Sequence, residues 1–81
     1  MKYTLEINAI GLLCPLPVLK LRKRIINLQS GSIIKILADD PAAIIDIPHF
    51  CKENDHIFLT SNVIEETPSS RSHHEYFIQK A

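Results

Sequence analysis

The part of the sequence whose residue types and spacing can do chemistry together is segment 11–17, Gly-Leu-Leu-Cys-Pro-Leu-Pro. Pro15 and Pro17 favour the first turn of a helix, because the N–H that proline lacks has no intrahelical partner there and its φ is already helical. Cys14 is then predicted to be the N-cap, facing the positive end of the helix dipole. Because that position favours the anionic form, we expect a lowered pKa for the Cys14 thiol and exchange of its thiolate with a partner's sulfur.

Cys14 also has two other interpretations. Many lone cysteines are buried as small hydrophobic residues, and a tight loop before a helix suits that role. Protease-like acyl transfer is disfavoured, because no Cys–His pair that would activate the thiol is evident in the sequence. Sulfur exchange needs nothing beyond the thiolate and a partner sulfur.

The predicted helix after Cys14 carries an apolar residue among its basic ones. Leu16 lies four and seven positions before Lys20 and Lys23, so the three share the polar side of the helix and we expect Leu16 to be exposed. With Leu13 it is predicted to form an apolar collar around the sulfur, bordered by basic side chains and suited to docking on a partner protein. The alternative is a solvated basic face whose charges favour the C-terminal end of the helix dipole.

The second cysteine, Cys51, follows Ile44 and Ile47 at helical spacing, which predicts a buried structural thiol. A resolving cysteine is the alternative, and we expect the two sulfurs to lie too far apart for a disulfide. His49, Cys51 and His56 match no strong zinc pattern, and one ligand would have to leave the core. We therefore expect no metal site.

The remaining polar candidates have structural interpretations. Asp39, Asp40 and Asp46 precede predicted helical segments, so we expect them to cap helices and not to act as catalytic acids. His73 and His74 fall in a stretch of loop composition, where solvated side chains are expected.

Periodicity along the chain predicts four strands and two helices. The predicted elements are a strand over 3–8, a helix over 15–29, a strand over 32–38, a helix from 41 that Pro48 interrupts and that resumes to about 54, and strands over 56–62 and 75–80, with a polar loop over 65–74. This β-α-β-α-β-β order predicts one α+β domain over residues 1–81, a two-layer α/β sandwich in which both helices cover one face of a mixed four-stranded sheet.

Composition excludes several classes of protein. Nine basic and nine acidic side chains give a formal net charge of zero, so no nucleic-acid or membrane partner is expected from charge. No apolar run has the length of a membrane helix, and residues 1–6 lack the apolar stretch of a signal peptide. We expect a cytoplasmic protein with two free thiols.

Segment 11–17 resembles the Cys-Pro-x-Pro signature of the TusA/SirA sulfur carriers, and segments 39–41 and 46–51 are similar to that family's second recurring block. The resemblance covers essentially the whole chain. It implies that Cys14 accepts persulfide sulfur from a cysteine desulfurase or related sulfurtransferase. The sulfur would then pass to a downstream relay protein, commonly toward 2-thiouridine in tRNA, with no metal or organic cofactor and no direct contact with nucleic acid. Such a protein is a sulfurtransferase-type carrier and not a turnover enzyme.

Two positions depart from the family pattern. Many members have a basic residue before the cysteine and an acidic one between the prolines, where this chain has Leu13 and Leu16. A more apolar collar suits another acceptor, in sulfur oxidation, molybdenum-cofactor synthesis or a relay linked to membrane sulfur transporters. A non-catalytic binding or regulatory module using the collar is a second hypothesis. Direct RNA binding through Lys20, Lys23 and Arg24 is disfavoured by the neutral net charge and the lack of stacking aromatics on that face of the helix.

Overall fold

The computed structural model describes residues 2–69 and 72–81 of the 81-residue chain. The elements are β1 (Leu5–Asn8), α1 (Leu16–Ile25), β2 (Ile33–Ala38), α2 (Ala43–Glu53), β3 (Ile57–Ile64) and β4 (His73–Gln79). This is the predicted β-α-β-α-β-β order. The predicted α+β class is confirmed.

The four strands form one mixed sheet in the order β1-β2-β4-β3. β1 and β2 are parallel, with Leu5 opposite Ile34 and Asn8 opposite Leu37. β4 runs antiparallel to both β2 and β3. The parallel pairing matters for the site, because it places the carboxyl ends of β1 and β2 side by side at the same edge of the sheet.

The hydrophobic core lies between one face of the sheet and the two helices. Along β2, buried and half-buried residues alternate, as expected for a strand covered on one face. Each helix contributes apolar residues at steps of three and four. The buried side chains of the core are Ile7, Ala9, Leu21, Ile25, Ile34, Ile36, Ala38, Ala43, Ile47, Phe50, Cys51, Tyr76 and Ile78.

α1 is shorter than predicted, ending at Ile25 where the sequence pattern continues to residue 29. Ile26, the C-cap, is 67% exposed and adds nothing to the core. The Lys80 ammonium donates hydrogen bonds to the carbonyl oxygens of Ile26 and Leu28, at 3.3 and 2.5 Å. Carbonyl groups at the end of a helix and just beyond it have no intrahelical partner, and this long-range contact satisfies two of them.

α2 also departs from the predicted course. It begins at Ala43, two residues after Pro41, and continues through Pro48 to Glu53, so the predicted interruption at Pro48 is wrong. Proline removes one helical hydrogen bond, here the bond to the carbonyl of Ile44. Ile44 is exposed, so the position where this bond is missing lies on the side of α2 away from the core.

The prediction that His73 and His74 are solvated loop residues is also wrong. Both lie in β4, half-buried, opposite Ile64 and Val63 of β3. β3 runs two residues further than predicted, which supplies the pairing partners. Residues 70 and 71 of the predicted loop lie outside the described residues. Neither α1 nor α2, the helices in the described ranges, has the length and apolar character needed to cross a lipid bilayer.

Candidate functional site

The loop that carries Cys14 is held against the chain segment that follows β2. The backbone N–H of Gly11 donates to Asp39 Oδ1 at 2.9 Å, and the N–H of Cys14 donates to Asp40 Oδ2 at 2.5 Å. Gly11 has a φ of +84°, a conformation that favours glycine and turns the chain after β1. These contacts follow from the parallel pairing of β1 and β2, which brings both segments to one edge of the sheet.

Asp39 and Asp40 therefore have a different main role from the predicted one. Their carboxylates accept N–H groups from the Cys14 loop, across 28 and 26 positions of sequence. Asp40 Oδ1 also accepts the N–H of Ala42 at 3.1 Å, close to the start of α2. Asp40 thus ties the cysteine loop to the beginning of the second helix.

The N-cap of α1 is Pro15 and not Cys14, which corrects the prediction. Pro15 accepts the N–H of Leu19, and the N–H of Leu16 is already donated to Leu13 O at 2.8 Å. No side chain of the described residues caps the first turn of α1. As predicted, both prolines lie at the helix start, where their missing N–H groups leave no intrahelical bond unmade. The Cys14–Pro15 peptide bond is cis.

The Cys14 thiol is exposed and donates a hydrogen bond to the carboxylate of Asp46, with Sγ and Oδ2 2.9 Å apart. This bond raises the pKa of Cys14 above its ordinary value, with smaller increases from desolvation and from the negative charges of Asp46 and Asp40. The expected lowering of this pKa is therefore wrong. A bonded carboxylate stabilises the protonated thiol, and no N–H group within the described residues bonds to the sulfur in compensation.

Asp46 is the site residue that sequence reasoning missed. It lies in the first turn of α2 and makes no capping bond, so the predicted capping role is also wrong. Its carboxylate reaches Cys14 because α1 and α2 pack side by side on the sheet. One feature of the sequence could have indicated Asp46 as a site residue: it lies in segment 46–51, one of the blocks that carry the family resemblance.

A groove of about 280 Å³ runs between α1 and α2 from the cysteine. Val18 and Phe50 supply apolar lining, and Arg22 and Glu53 lie toward the far end. The complete lining is Cys14, Pro15, Val18, Arg22, Asp46, His49, Phe50, Glu53 and Asn54. His49 Nε2 lies 2.9 Å from Glu53 Oε1, so these two side chains pair with each other. Arg22 makes no ion pair with any residue in the described ranges.

The predicted collar residues flank the sulfur on the chain, and both are exposed. Leu13 is 69% and Leu16 48% exposed, so the expected exposure of Leu16 is confirmed. Lys20 is half-buried, and its ammonium donates to Asn8 O at 2.7 Å, which ties α1 to the end of β1. Lys23 is exposed and is not part of the groove lining.

Cys51 is buried in the core, as predicted for a structural thiol, and burial raises its pKa to about 11. His56 Nδ1 accepts the backbone N–H of Ala81 at 3.1 Å. His49 pairs with Glu53, on the exposed side of α2. The three candidate metal ligands of the sequence thus have separate surroundings, and the described residues contain no cluster of three or more potential ligands.

The fold and the exposed thiol define a small α+β protein that presents one cysteine at a helix start. The chain matches the family described as sulfurtransferase TusA over residues 5–80, and it belongs to that family. A SirA-like protein from Desulfitobacterium hafniense, known from its crystal structure, is similar in fold. The TM-score is 0.69 at 18% sequence identity, over 96% of this chain and 100% of that one. Family membership supports a role as a sulfur carrier between donor and acceptor proteins.

Proposed function

We propose that Cys14 accepts sulfur as a persulfide from a cysteine desulfurase, or from a related sulfur donor protein, and passes it to a downstream relay protein. The observation that carries this proposal is the exposed Cys14 thiol bonded to Asp46 in a chain of the sulfurtransferase family. The end product that we propose is 2-thiouridine in tRNA, with the protein acting in the cytoplasm and making no direct contact with the tRNA.

Loading is a thiol exchange without net oxidation. The Cys14 sulfur attacks the outer sulfur of the donor's persulfide, a new S–S bond forms on Cys14, and the donor's S–S bond breaks. The donor's inner sulfur leaves as a thiolate and takes up a proton. In unloading, an acceptor thiolate attacks the outer sulfur on Cys14, and Cys14 leaves as the thiolate.

Asp46 supplies the proton exchange that this chemistry needs. The thiol is the resting form of Cys14, whereas the thiolate is the nucleophile. The Asp46 carboxylate is already bonded to the S–H and takes its proton as the sulfur attacks. It then passes this proton to the donor's leaving thiolate, so Asp46 is a carboxylate again in the loaded protein. During unloading Asp46 relays a proton from the attacking thiol to the departing Cys14 thiolate. The empty carrier thus stays protonated between encounters, which slows unwanted oxidation of an exposed cysteine.

Docking is proposed to use the collar, Leu13 and Leu16, together with the basic residues Lys20 and Lys23. Exposed apolar side chains beside a reactive sulfur gain most when a partner covers them. The matched test replaces Leu16 by Glu and, as a control, Ile26 by Glu. Ile26 is 67% exposed at the opposite end of α1, so this control adds the same charge away from the sulfur. Leu16→Glu is expected to slow loading at least tenfold more than it slows alkylation of Cys14, since the added charge beside the thiol also disfavours the thiolate, and Ile26→Glu is expected to change neither.

The direct experiment incubates the protein with a cysteine desulfurase and radiolabelled cysteine, and follows label on the chain under non-reducing conditions. We expect label on the wild type and on Cys51→Ser, none on Cys14→Ser, and its release by a reductant. Addition of a candidate acceptor should move the label. Absence of label from the wild type, or label retained on Cys14→Ser, would contradict the proposal.

Cellular assays separate this function from a non-catalytic binding module. A carrier loses function in Cys14→Ser, whereas a binding module retains it and loses function in Leu16→Glu. Loss of tRNA 2-thiouridine in cells lacking the protein assigns the pathway. Normal 2-thiouridine with a defect in sulfur oxidation or molybdenum cofactor assigns one of the other relays. Undetectable tRNA binding is expected, because the net charge is zero.

A further inference from the structure

The hydrogen bond between Cys14 and Asp46 depends on a proton that loading removes. In the empty protein, Sγ carries a proton and donates it to Asp46 Oδ2 at 2.9 Å. When Cys14 carries a persulfide, Sγ is bonded to the outer sulfur, about 2 Å away, and has no proton to donate. The loaded cysteine therefore loses the contact that holds the empty one.

The outer sulfur is not an equivalent donor. A hydropersulfide is a stronger acid than the corresponding thiol, so the outer sulfur loses its proton to solvent more readily. An anionic sulfur is repelled by a carboxylate where a neutral S–H is bound by it. Asp46 therefore attracts the thiol of the empty carrier and repels the outer sulfur of the loaded one.

The charges that surround Sγ come from three parts of the fold. Asp46 faces it from α2, and Asp40, after β2, bonds the Cys14 N–H. From α1, Arg22 lines the same groove but lies roughly 9 Å along the helix from its first residue, at 1.5 Å per residue. His49 is paired with Glu53. The nearest charges to the sulfur are therefore both negative.

We propose that Asp46, together with Asp40, distinguishes the loaded carrier from the empty one. Asp46 holds the empty thiol at the groove by a hydrogen bond, and the two carboxylates turn the anionic outer sulfur of the persulfide away from the helices. Asp46 is in this sense a positioning residue for the cargo. This proposal rests on the proposed function, since it concerns the persulfide state of the same cysteine.

The test uses protein loaded chemically, so that it does not depend on any donor enzyme. Cys14 is converted to a mixed disulfide with thiopyridine, and hydrosulfide then displaces the thiopyridine to leave Cys14–S–SH; mass spectrometry verifies one added sulfur. The outer sulfur is alkylated with a small and with a bulky neutral haloacetamide over a range of pH. The ratio of the two plateau rates reports access to the sulfur, because its intrinsic nucleophilicity cancels.

We expect the loaded wild type to give a ratio of small to bulky reagent within twofold of that of an unstructured cysteine-persulfide peptide. Asp46→Asn should raise the ratio at least threefold, because its amide attracts the sulfur back to the groove. Asp39→Asn makes the same change of charge at a carboxylate that bonds Gly11, and should match the wild type.

Two results would overturn the proposal. One is a ratio of small to bulky reagent in the loaded wild type far above that of the free peptide. This result would show that the outer sulfur is held in the groove, and measuring it requires no variant. The other is an equal ratio in the wild type and Asp46→Asn. Circular dichroism checks that Asp46→Asn is folded, and Asp46→Glu, which keeps the charge, should retain the wild-type ratio. If the chemically loaded proteins give the expected alkylation ratios but a desulfurase does not load Cys14, the result counts against the proposed function and not against this proposal.

Discussion

Cys14 and Asp46 are 32 positions apart in the sequence, and a hydrogen bond of 2.9 Å joins the thiol to the carboxylate. The bond links the start of one helix to the first turn of the other, above the edge where the parallel strands end. It reverses the electrostatic environment expected for a cysteine at a helix start. Substitutions at this pair and at the contacts that support it should therefore change the acidity of the thiol and the stability of the loop.

Replacing Asp46 by Asn is expected to lower the pKa of the Cys14 thiol. Asp46 now raises that pKa by bonding the S–H and by its negative charge, so its removal favours the thiolate. The pH midpoint of alkylation of the empty protein should move down. Near pH 7 the thiolate fraction should rise about tenfold for every pH unit by which the midpoint falls, and the alkylation rate about threefold, because a less basic thiolate is a weaker nucleophile. Asp39→Asn serves as the control with an unchanged midpoint. A midpoint that stays in place or moves up in Asp46→Asn would contradict the assigned bond.

Replacing Asp40 by Ala is expected to destabilise the protein more than replacing Asp39. Asp40 accepts two backbone N–H groups, from Cys14 and Ala42, whereas Asp39 accepts one, from Gly11. Each lost bond to a carboxylate reduces the free energy of unfolding by about 1–3 kcal/mol. Urea denaturation at pH 7 measures both variants. Equal losses would show that Asp40 does not tie the two segments together.

The stability of the fold should decrease in alkaline solution because of Cys51. Burial raises the pKa of this thiol to about 11, whereas in the unfolded chain it ionises near ~8.5. The raised folded pKa stabilises the protein fully below about pH 8.5, and the contribution is lost as the pH rises to about 11. The free energy of unfolding of the wild type, relative to Cys51→Ala, should fall by about 3 kcal/mol across this range. A difference that is independent of pH would show that the thiol is accessible to water.

Tyr76→Phe is expected to leave the free energy of unfolding unchanged or to raise it by about 1 kcal/mol. The Tyr76 side chain is 1% exposed, and its hydroxyl has no hydrogen-bond partner among the described residues. Phenylalanine keeps the ring, which contacts the rings of Phe58 and His74, and removes a polar group that is costly to bury unpaired. Thermal and urea unfolding measure the change. A loss above about 1 kcal/mol would reveal a hydrogen bond at the hydroxyl.

Local patterns in the sequence predicted the elements and their order. Alternating apolar residues predicted β1, and apolar residues at helical spacing predicted the buried side of α1. The prolines at 15 and 17 placed the helix start within one residue. Where tertiary contacts decide an element's end, the prediction was wrong: Lys80 takes the carbonyls after Ile25, and pairing with β3 draws His73 into β4.

The exposed cysteine of the candidate site could be predicted from the sequence, but its surroundings could not. Cys14 stands out because the flanking prolines fix the helix start locally. The acidic partner comes from another helix, and local capping rules assigned Asp46 to the ordinary role of a residue at a helix start. Only the packing of α1 against α2 shows that its carboxylate meets the thiol. The direction in which the pKa of Cys14 moves therefore required the three-dimensional structure.

The most direct test of the central claim is the intact mass of the protein after incubation with a cysteine desulfurase and cysteine. We expect an increase of about 32 Da, the mass of one sulfur atom, located on the peptide that contains Cys14 and reversed by a thiol reductant. Cys51→Ser should gain the same mass, and Cys14→Ser should gain none. An unchanged mass in the wild type, or a gain that survives Cys14→Ser, would contradict the assignment of Cys14 as the sulfur carrier.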